Sequence, residues 1–252
     1  MGYKTAMLIF GVLSAILIPI FWPDPEPPVL PDMWWGRGKL LFDPAKFPKD
    51  NPAVRPFRVN VMNETLRDLN RRLDNTRLSD PLDNVQFQYG FRSDYLKKVI
   101  DYWRNTYDWR KEEKRLNQYD QFLTQIEGID IHFLHIKPTK TNPKMKVLPL
   151  MLIHGWPGSV VEFYKILPLL VTPSGDRDFV FEVICPSIPG YGYSEAPHQP
   201  GFSMADAARV FVKLMDRLGF PKFYVQGGDW GSAISTVISA VYPKKYCYIF
   251  RL

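Results

Sequence analysis

The stretch VQGGDWGSA at residues 225–233 places a carboxylate, Asp229, between Gly227 and Gly231. Glycines two before and two after give the spacing of the G-x-S-x-G elbow, which presents a nucleophile on a strand-to-helix turn, here with aspartate where serine usually stands. That substitution decides the reaction. A serine attacking a saturated carbon leaves an ether that water cannot remove, whereas a carboxylate leaves an ester that water can hydrolyse. Asp229 therefore points to displacement at an alkyl carbon, in an epoxide or an alkyl halide, and away from lipases and peptidases. The plainer reading is a helix cap, since free N–H groups and the helix dipole stabilise aspartate there. Gly227 and Gly228 before it and Gly231 after it favour the crowded elbow.

A second motif, HGWPG at 154–158, lies 73 residues upstream, counting from Trp156 to Asp229 (229 minus 156). A loop of this kind after a buried strand lends a backbone N–H to an oxyanion hole. The donors would be the N–H groups of Trp156 and Trp230, with His154, Gly155, Pro157 and Gly158 shaping the loop. Taken alone, His154 reads as a satisfied structural histidine. PGYGYS at 189–194 reads alone as a plain turn, and its glycine spacing is not that of a dinucleotide site. No C-x-x-C or H-E-x-x-H occurs, and His132 and His135 fall on opposite faces of an alternating run. Neither metal nor cofactor is expected.

These residues need elements to hold them. From 147 the chain alternates apolar runs (147–153, 180–186, 222–227) with helical patterns (159–170, 203–219, 232–242). Such alternation predicts right-handed crossovers and a parallel sheet with flanking helices. All three motifs then fall at carboxyl ends of strands, where open α/β sheets place ligands. Ser203 with Asp206 forms a capping box, and Gly219 closes that helix. Residues 247–252 begin one more strand. Upstream, residues 53–145 read as helices followed by a hairpin. Leu66, Leu69 and Leu73, and then Leu96, Ile100 and Trp103 behind a Ser93 cap, have helical spacing. QFLTQIEGIDIHFLHI alternates on both sides of Glu127-Gly128, as two antiparallel strands do.

The net charge is +6 and the two cysteines, Cys185 and Cys247, make no disulfide framework. Basic residues are interleaved with acids, as in Arg110-Lys111-Glu112-Glu113, which disfavours a nucleic-acid groove, while the mild positive balance suits anionic lipid nearby. Residues 5–22 carry no charge over 18 positions. This length spans a bilayer, and the poor cleavage site favours a retained anchor over a signal peptide. The proline-rich stretch 23–38 follows as a semi-rigid spacer. Its Trp34-Trp35 pair either lies at the membrane surface or docks on the body.

Together, PDMWWGRGK (31–39), FQYGF (87–91), HGWPGSVVEFY (154–164), PSIPGYGYSEAP (186–197) and VQGGDWGSA resemble microsomal-type epoxide hydrolases, and WWG-bearing insect juvenile hormone epoxide hydrolases most of all. The resemblance implies an anchor (1–22), a spacer (23–52), an epoxide hydrolase N-terminal segment (53–145) and the first part of an α/β-hydrolase core (146–252). It implies an endoplasmic-reticulum membrane location facing the cytosol, lipophilic epoxide substrates, Asp229 as nucleophile, and Trp156 and Trp230 as oxyanion donors. It also implies lid tyrosines, a histidine base and its acid partner after the nucleophile. Only 23 residues follow Asp229 (252 minus 229), and none is histidine. The 252 residues are therefore expected to form an incomplete α/β-hydrolase fold, to leave a sheet edge beside the elbow strand, and to make the ester without multiple turnover. A haloalkane dehalogenase and a non-catalytic short form that binds epoxides or a partner are the competing readings.

Overall fold

The computed structural model describes residues 26–138, 145–175 and 177–251, with backbone alone for 246–251. The expected anchor falls in residues 1–25, outside the described residues. Among the described residues no helix is long and apolar enough to cross a membrane.

In chain order the elements are β1 (Arg55–Phe57), α1 (Asn63–Asp74), α2 (Ser93–Asn105), α3 (Trp109–Leu116), β2 (Gln121–Ile126), β3 (Ile129–Ile136), β4 (Lys146–Ile153), α4 (Leu167–Val171), β5 (Phe179–Pro186), α5 (Met204–Arg217), β6 (Phe223–Gly227), α6 (Trp230–Val241) and β7 (Tyr246–Arg251). One sheet of seven strands runs in the order β1-β2-β3-β5-β4-β6-β7. Strands β5, β4, β6 and β7 are parallel, whereas β1, β2 and β3 add to the β5 edge antiparallel. The sheet is thus mixed rather than parallel. The hairpin's free edge offers unpaired N–H and C=O groups, and β5 satisfies them from Phe133↔Pro186 to Ile136↔Val183. The elbow strand β6 is not an edge, because β7 pairs along its other side.

Strand β4 shows how the core is divided. Met151 and Ile153 face the cluster under α5 and α6 with Phe211, Met215 and Ile234, while Leu150 and Leu152 face Leu167, Val183 and Cys185 on the opposite side. A period of two in a run apolar at every position fills both faces. Pro149 precedes the β6 pairing, which begins at Leu150, so its missing N–H leaves no gap on that side.

Two local expectations differ from the structure. Residues 159–170 do not form one helix. Val160–Phe163 make a 3-10 turn, and α4 starts afresh at Leu167 with Pro168 in its first turn. Proline cannot donate to the carbonyl four residues back and its ring clashes there, but it is tolerated at a helix start. Ser93 is not the cap of α2 but its first residue, because Arg92 is the extended cap position, and the Arg92 side chain turns to Asp94 and the Val85 carbonyl.

The Trp34-Trp35 pair docks on the body. The Trp35 N–H donates to the Glu127 carbonyl at 2.8 Å, and its indole Nε1 donates to the Glu127 carboxylate at 3.0 Å. Glu127 and Gly128 both have positive φ, 53° and 85°, as the tight hairpin turn requires. A Cβ at Gly128 would lie 2.7 Å from the Gly36 nitrogen, so this turn and the WWG strap meet through glycines. Glu127, though buried, also accepts from Arg209 Nε and Nη2 at 2.7 Å each and from Lys213 at 2.8 Å.

His132 is the buried polar point of β3. Its ring nitrogens reach Ser187 Oγ at 2.9 Å and Gln121 Oε1 at 2.8 Å. Because Gln121 Nε2 donates to the Leu116 carbonyl at 2.7 Å, Oε1 faces the ring. His132 Nε2 then carries the proton and Nδ1 accepts from Ser187. Burial lowers the His132 pKa from 6.5 to about 4. Below pH 6.5 the unfolded chain binds a proton here that the folded chain refuses until about pH 4. Stability is therefore expected to fall by roughly 3 kcal/mol as pH drops through that window. Urea unfolding at pH 7, 5.5 and 4.5 should show this decline, and a slope identical in His132→Asn would remove His132 as its source.

Candidate active site

The loops after β4, β5 and β6 converge around Asp229. Its backbone has φ 51° and ψ −123°, a conformation that non-glycine residues seldom hold without surrounding support. That support is the packing of glycines. A Cβ at Gly227 would lie 2.3 Å from the Gly231 carbonyl carbon, and one at Gly231 would lie 2.0 Å from the Ile153 carbonyl oxygen. Neither position has room for a side chain, so β6 turns into α6 within a few residues and leaves Asp229 exposed at the tip. Gly228 differs from its neighbours, because a Cβ there would meet nothing within 4 Å. The crowding expected of the double glycine rests on Gly227 alone.

Asp229 does start α6 through its backbone, its carbonyl accepting from Ser232 at 3.0 Å and Ala233 at 3.2 Å. Its side chain, however, forms no helix-capping bond and turns to the HGWPG loop. The Trp156 N–H donates to Asp229 Oδ1 at 2.8 Å. That hydrogen bond, followed by one from the Trp230 N–H, holds the carboxyl below its ordinary 3.8. Of the two N–H groups foreseen as oxyanion donors, that of Trp156 bonds the Asp229 carboxylate directly, and that of Trp230 adjoins it and helps to lower its pKa. Gly155 permits the approach, since a Cβ there would stand 2.5 Å from Asp229 Cβ and 2.8 Å from Oδ1. Pro157 follows Trp156 through a cis bond. A Cβ at Gly158 would come 3.2 Å from Glu162 Oε1, which also accepts from the Gly155 N–H at 3.3 Å. Glu162 braces the loop from seven residues away, and its place in a helical pattern gave no sign of that.

His154 is buried, and its role is structural. Nε2 accepts from the Ile188 N–H at 3.0 Å, so Nδ1 carries the proton and faces the Gly155 carbonyl at 3.1 Å. Burial depresses its pKa and keeps the ring neutral. His154 therefore ties the oxyanion loop to the loop after β5, whose Tyr191 packs edge-on at 5.7 Å. The other histidines are engaged elsewhere: His132 as above, His135 with Glu182 at 2.6 Å and His198 with Glu195 at 2.6 Å. None of these contacts includes Asp229.

Gly155→Ala tests the geometry. The added methyl must push Asp229 away from Trp156, with an expected loss of about 100-fold in any reaction of the carboxylate, as a displacement near 1 Å costs. The folded state should survive, because the methyl meets the exposed tip and not the core. Reaction at an unchanged rate would mean that the Trp156 contact is unimportant.

The comparisons bear on both halves of the chain. Residues 54–163 match the family model described as epoxide hydrolase N terminus, and residues 149–245 match the alpha/beta hydrolase fold. The chain is 44% identical over 248 residues to juvenile hormone epoxide hydrolase 1 of Ctenocephalides felis, an alignment covering 97% of this chain and 52% of the relative. It is 48% identical over 242 residues to epoxide hydrolase 1 of Sus scrofa, covering 94% and 52%. The crystal structure of juvenile hormone epoxide hydrolase from Bombyx mori superposes with a TM-score of 0.81 at 39% identity, over 87% of this chain and 56% of that one. The chain spans about half the length of the curated relatives it matches. The architecture is the α/β-hydrolase fold, with a mixed sheet and flanking helices.

Proposed function

Because this chain belongs to the epoxide hydrolase family, we propose that Asp229 opens the ring of a lipophilic epoxide and carries the product as an ester. The observation that carries the reading is the 2.8 Å bond from the Trp156 N–H to Asp229 Oδ1 in the strained elbow. One carboxylate oxygen is held there and the other is left to attack. Its lone pair forms a bond to a ring carbon, the carbon–oxygen bond of the ring breaks, and the released alkoxide takes a proton from solvent or a donor. Water then adds to the ester carbonyl carbon, and the oxyanion that forms is met by the N–H groups of Trp156 and Trp230. Loss of the diol restores Asp229. Juvenile hormone or xenobiotic epoxides are the proposed substrates, from the names of the relatives.

None of the four histidines touches Asp229, so the 252 residues are proposed to open the ring and form the ester without multiple turnover. Intact-mass spectrometry after incubation with a lipophilic epoxide should show one added epoxide per chain, localised to Asp229. More than one diol per chain would overturn the single turnover, and an unmodified chain with no diol would overturn the function.

The four-part division with an anchor at 1–22 is part of the same proposal. It sets the core on the cytosolic face of the endoplasmic-reticulum membrane, with the bilayer as partner and reservoir of substrate. Release of the chain from microsomes by an alkaline wash would count against it.

A further inference from the structure

Half of the net charge of this chain sits in one short stretch that the chemistry does not use. Residues 37–49, RGKLLFDPAKFPK, carry Arg37, Lys39, Lys46 and Lys49 against Asp43, a net +3 (4 minus 1) out of +6 for the whole sequence. Lys39 and Lys49 form no ion pair with any described residue. The acids around them are engaged already. Asp43 Oδ1 accepts from the Ala45 N–H at 3.1 Å and its Oδ2 meets Lys46 at 3.2 Å. Asp32 reaches Lys213 at 2.8 Å, and Asp50 accepts from the N–H groups of Glu127 and Gly128 at 2.8 Å each.

Apolar surface rises from the same stretch. Phe42 is 76% exposed and Leu40 38%, whereas Leu41 is half-buried and the Phe47 ring packs against Trp34 at 6.5 Å. Both ends are pinned: Gln199 Nε2 donates to the Gly36 and Gly38 carbonyls at 2.9 and 3.1 Å, and Asp50 grips the hairpin turn. The stretch is therefore a fixed projection of the body. One exposed apolar side chain needs no explanation, but one flanked by four cations is a different surface. An aromatic ring at the acyl boundary with lysine and arginine among anionic headgroups is the pairing that a bilayer interface accepts. Reach favours lipid over an acidic protein, which would match the charge alone. Arg37 lies 15 residues beyond Trp22 (37 minus 22), the end of the uncharged stretch 5–22. At most about 50 Å of chain then separates it from a bilayer holding that stretch.

We propose that residues 37–49 make a second contact with the bilayer, in which Phe42 enters the interface and Arg37, Lys39, Lys46 and Lys49 meet anionic headgroups. The contact fixes how the body lies on the membrane, which a span joined by a spacer does not. In its reach argument the inference rests on the reading of residues 5–22 as an anchor. Its test uses the full chain in vesicles of phosphatidylcholine, with and without phosphatidylserine. A fluorophore is placed by Phe42→Cys in a Cys247→Ser background, where the remaining Cys185 is buried. Quenching by nitroxide-bearing lipid then reports the docked fraction. Tyr89→Cys is the comparison, since Tyr89 is 79% exposed in FQYGF, a segment without charge. Quenching at position 42 should exceed that at 89, require phosphatidylserine, and fade toward 1 M salt, where screening acts within about 3 Å. Each cation near an anionic surface is worth about fivefold, so Lys39→Gln with Lys49→Gln should lower the ratio of docked to undocked chain roughly 25-fold. Equal quenching at the two positions, none at 42, or quenching indifferent to both phosphatidylserine and the lysines would overturn the contact. Failure of the anchor shows separately, as a chain quenched at position 42 that an alkaline wash then releases.

Discussion

Asp229→Asn is expected to abolish the covalent step, lowering ester formation by at least about 10⁴-fold, the scale on which removal of an essential nucleophile is felt. The variant isolates the chemistry because it preserves the geometry. An asparagine oxygen accepts from the Trp156 N–H as Oδ1 does at 2.8 Å. Asparagine also tolerates positive φ, so the backbone at 51° gains no new strain. Its amide has no anionic lone pair to displace a ring oxygen. In the parent, ester formation should follow the carboxylate fraction. With the pKa held below 3.8 by the two N–H groups, the rate stays level from pH 8 to 5 and declines only on further acidification. Intact mass at saturating epoxide, with circular dichroism as the control for folding, makes the comparison. A variant that still gains one epoxide at the parent rate would place the nucleophile elsewhere.

The elbow was legible because its requirements are local. Positive φ at the tip and glycines two residues to either side belong to one turn, and the sequence carries all of them within 227–231. The hairpin was legible for the same reason, since Glu127-Gly128 sits between alternating runs that pair with each other. What the pattern could not carry was the partner of each free edge. Nothing in β3 says that its outer side will meet β5, so the hairpin looked like the end of one segment when it is the middle of a sheet. Strand β1 was missed, because three residues, two of them exposed, show no period. The break within 159–170 did have a signal in Pro168, outweighed by the apolar spacing around it.

At the site, pairing of the two motifs was foreseen, whereas the manner of their meeting was not. Gly155 reads as one glycine of a turn until the structure shows Asp229 Cβ in the space its own Cβ would take. His154 looked ambiguous because its hydrogen-bond partner, the Ile188 N–H, lies 34 residues away on another strand's loop. Its spacing from Gly155 says nothing of that bond. Long-range satisfaction of buried polar groups is a property of the assembled layers, and it decides which histidine is structural.

The same logic gives the largest expected effect on stability, at Arg209. This guanidinium is buried on α5 and makes two 2.7 Å bonds to Glu127 and one contact of 2.9 Å with Asp206. Burial alone would lower its pKa, but the hydrogen bonds and charges of Glu127 and Asp206 outweigh that and hold it above the ordinary arginine value. Removing one member of such a pair leaves the other charged in a dry site, at a cost of about 3–5 kcal/mol. Arg209→Met should fall at the lower end, because Lys213 and the Trp35 indole still reach Glu127. Pairing it with Glu127→Gln should recover part of the loss, since the amide that remains carries no uncompensated charge. Glu127 also holds the Trp35 strap, and the Trp35 ring packs edge-on against Phe202 at 5.0 Å. Urea midpoints for the parent, both single variants and the double variant complete the cycle. A loss under about 1 kcal/mol in Arg209→Met would mean that Lys213 and Trp35 satisfy Glu127 without Arg209.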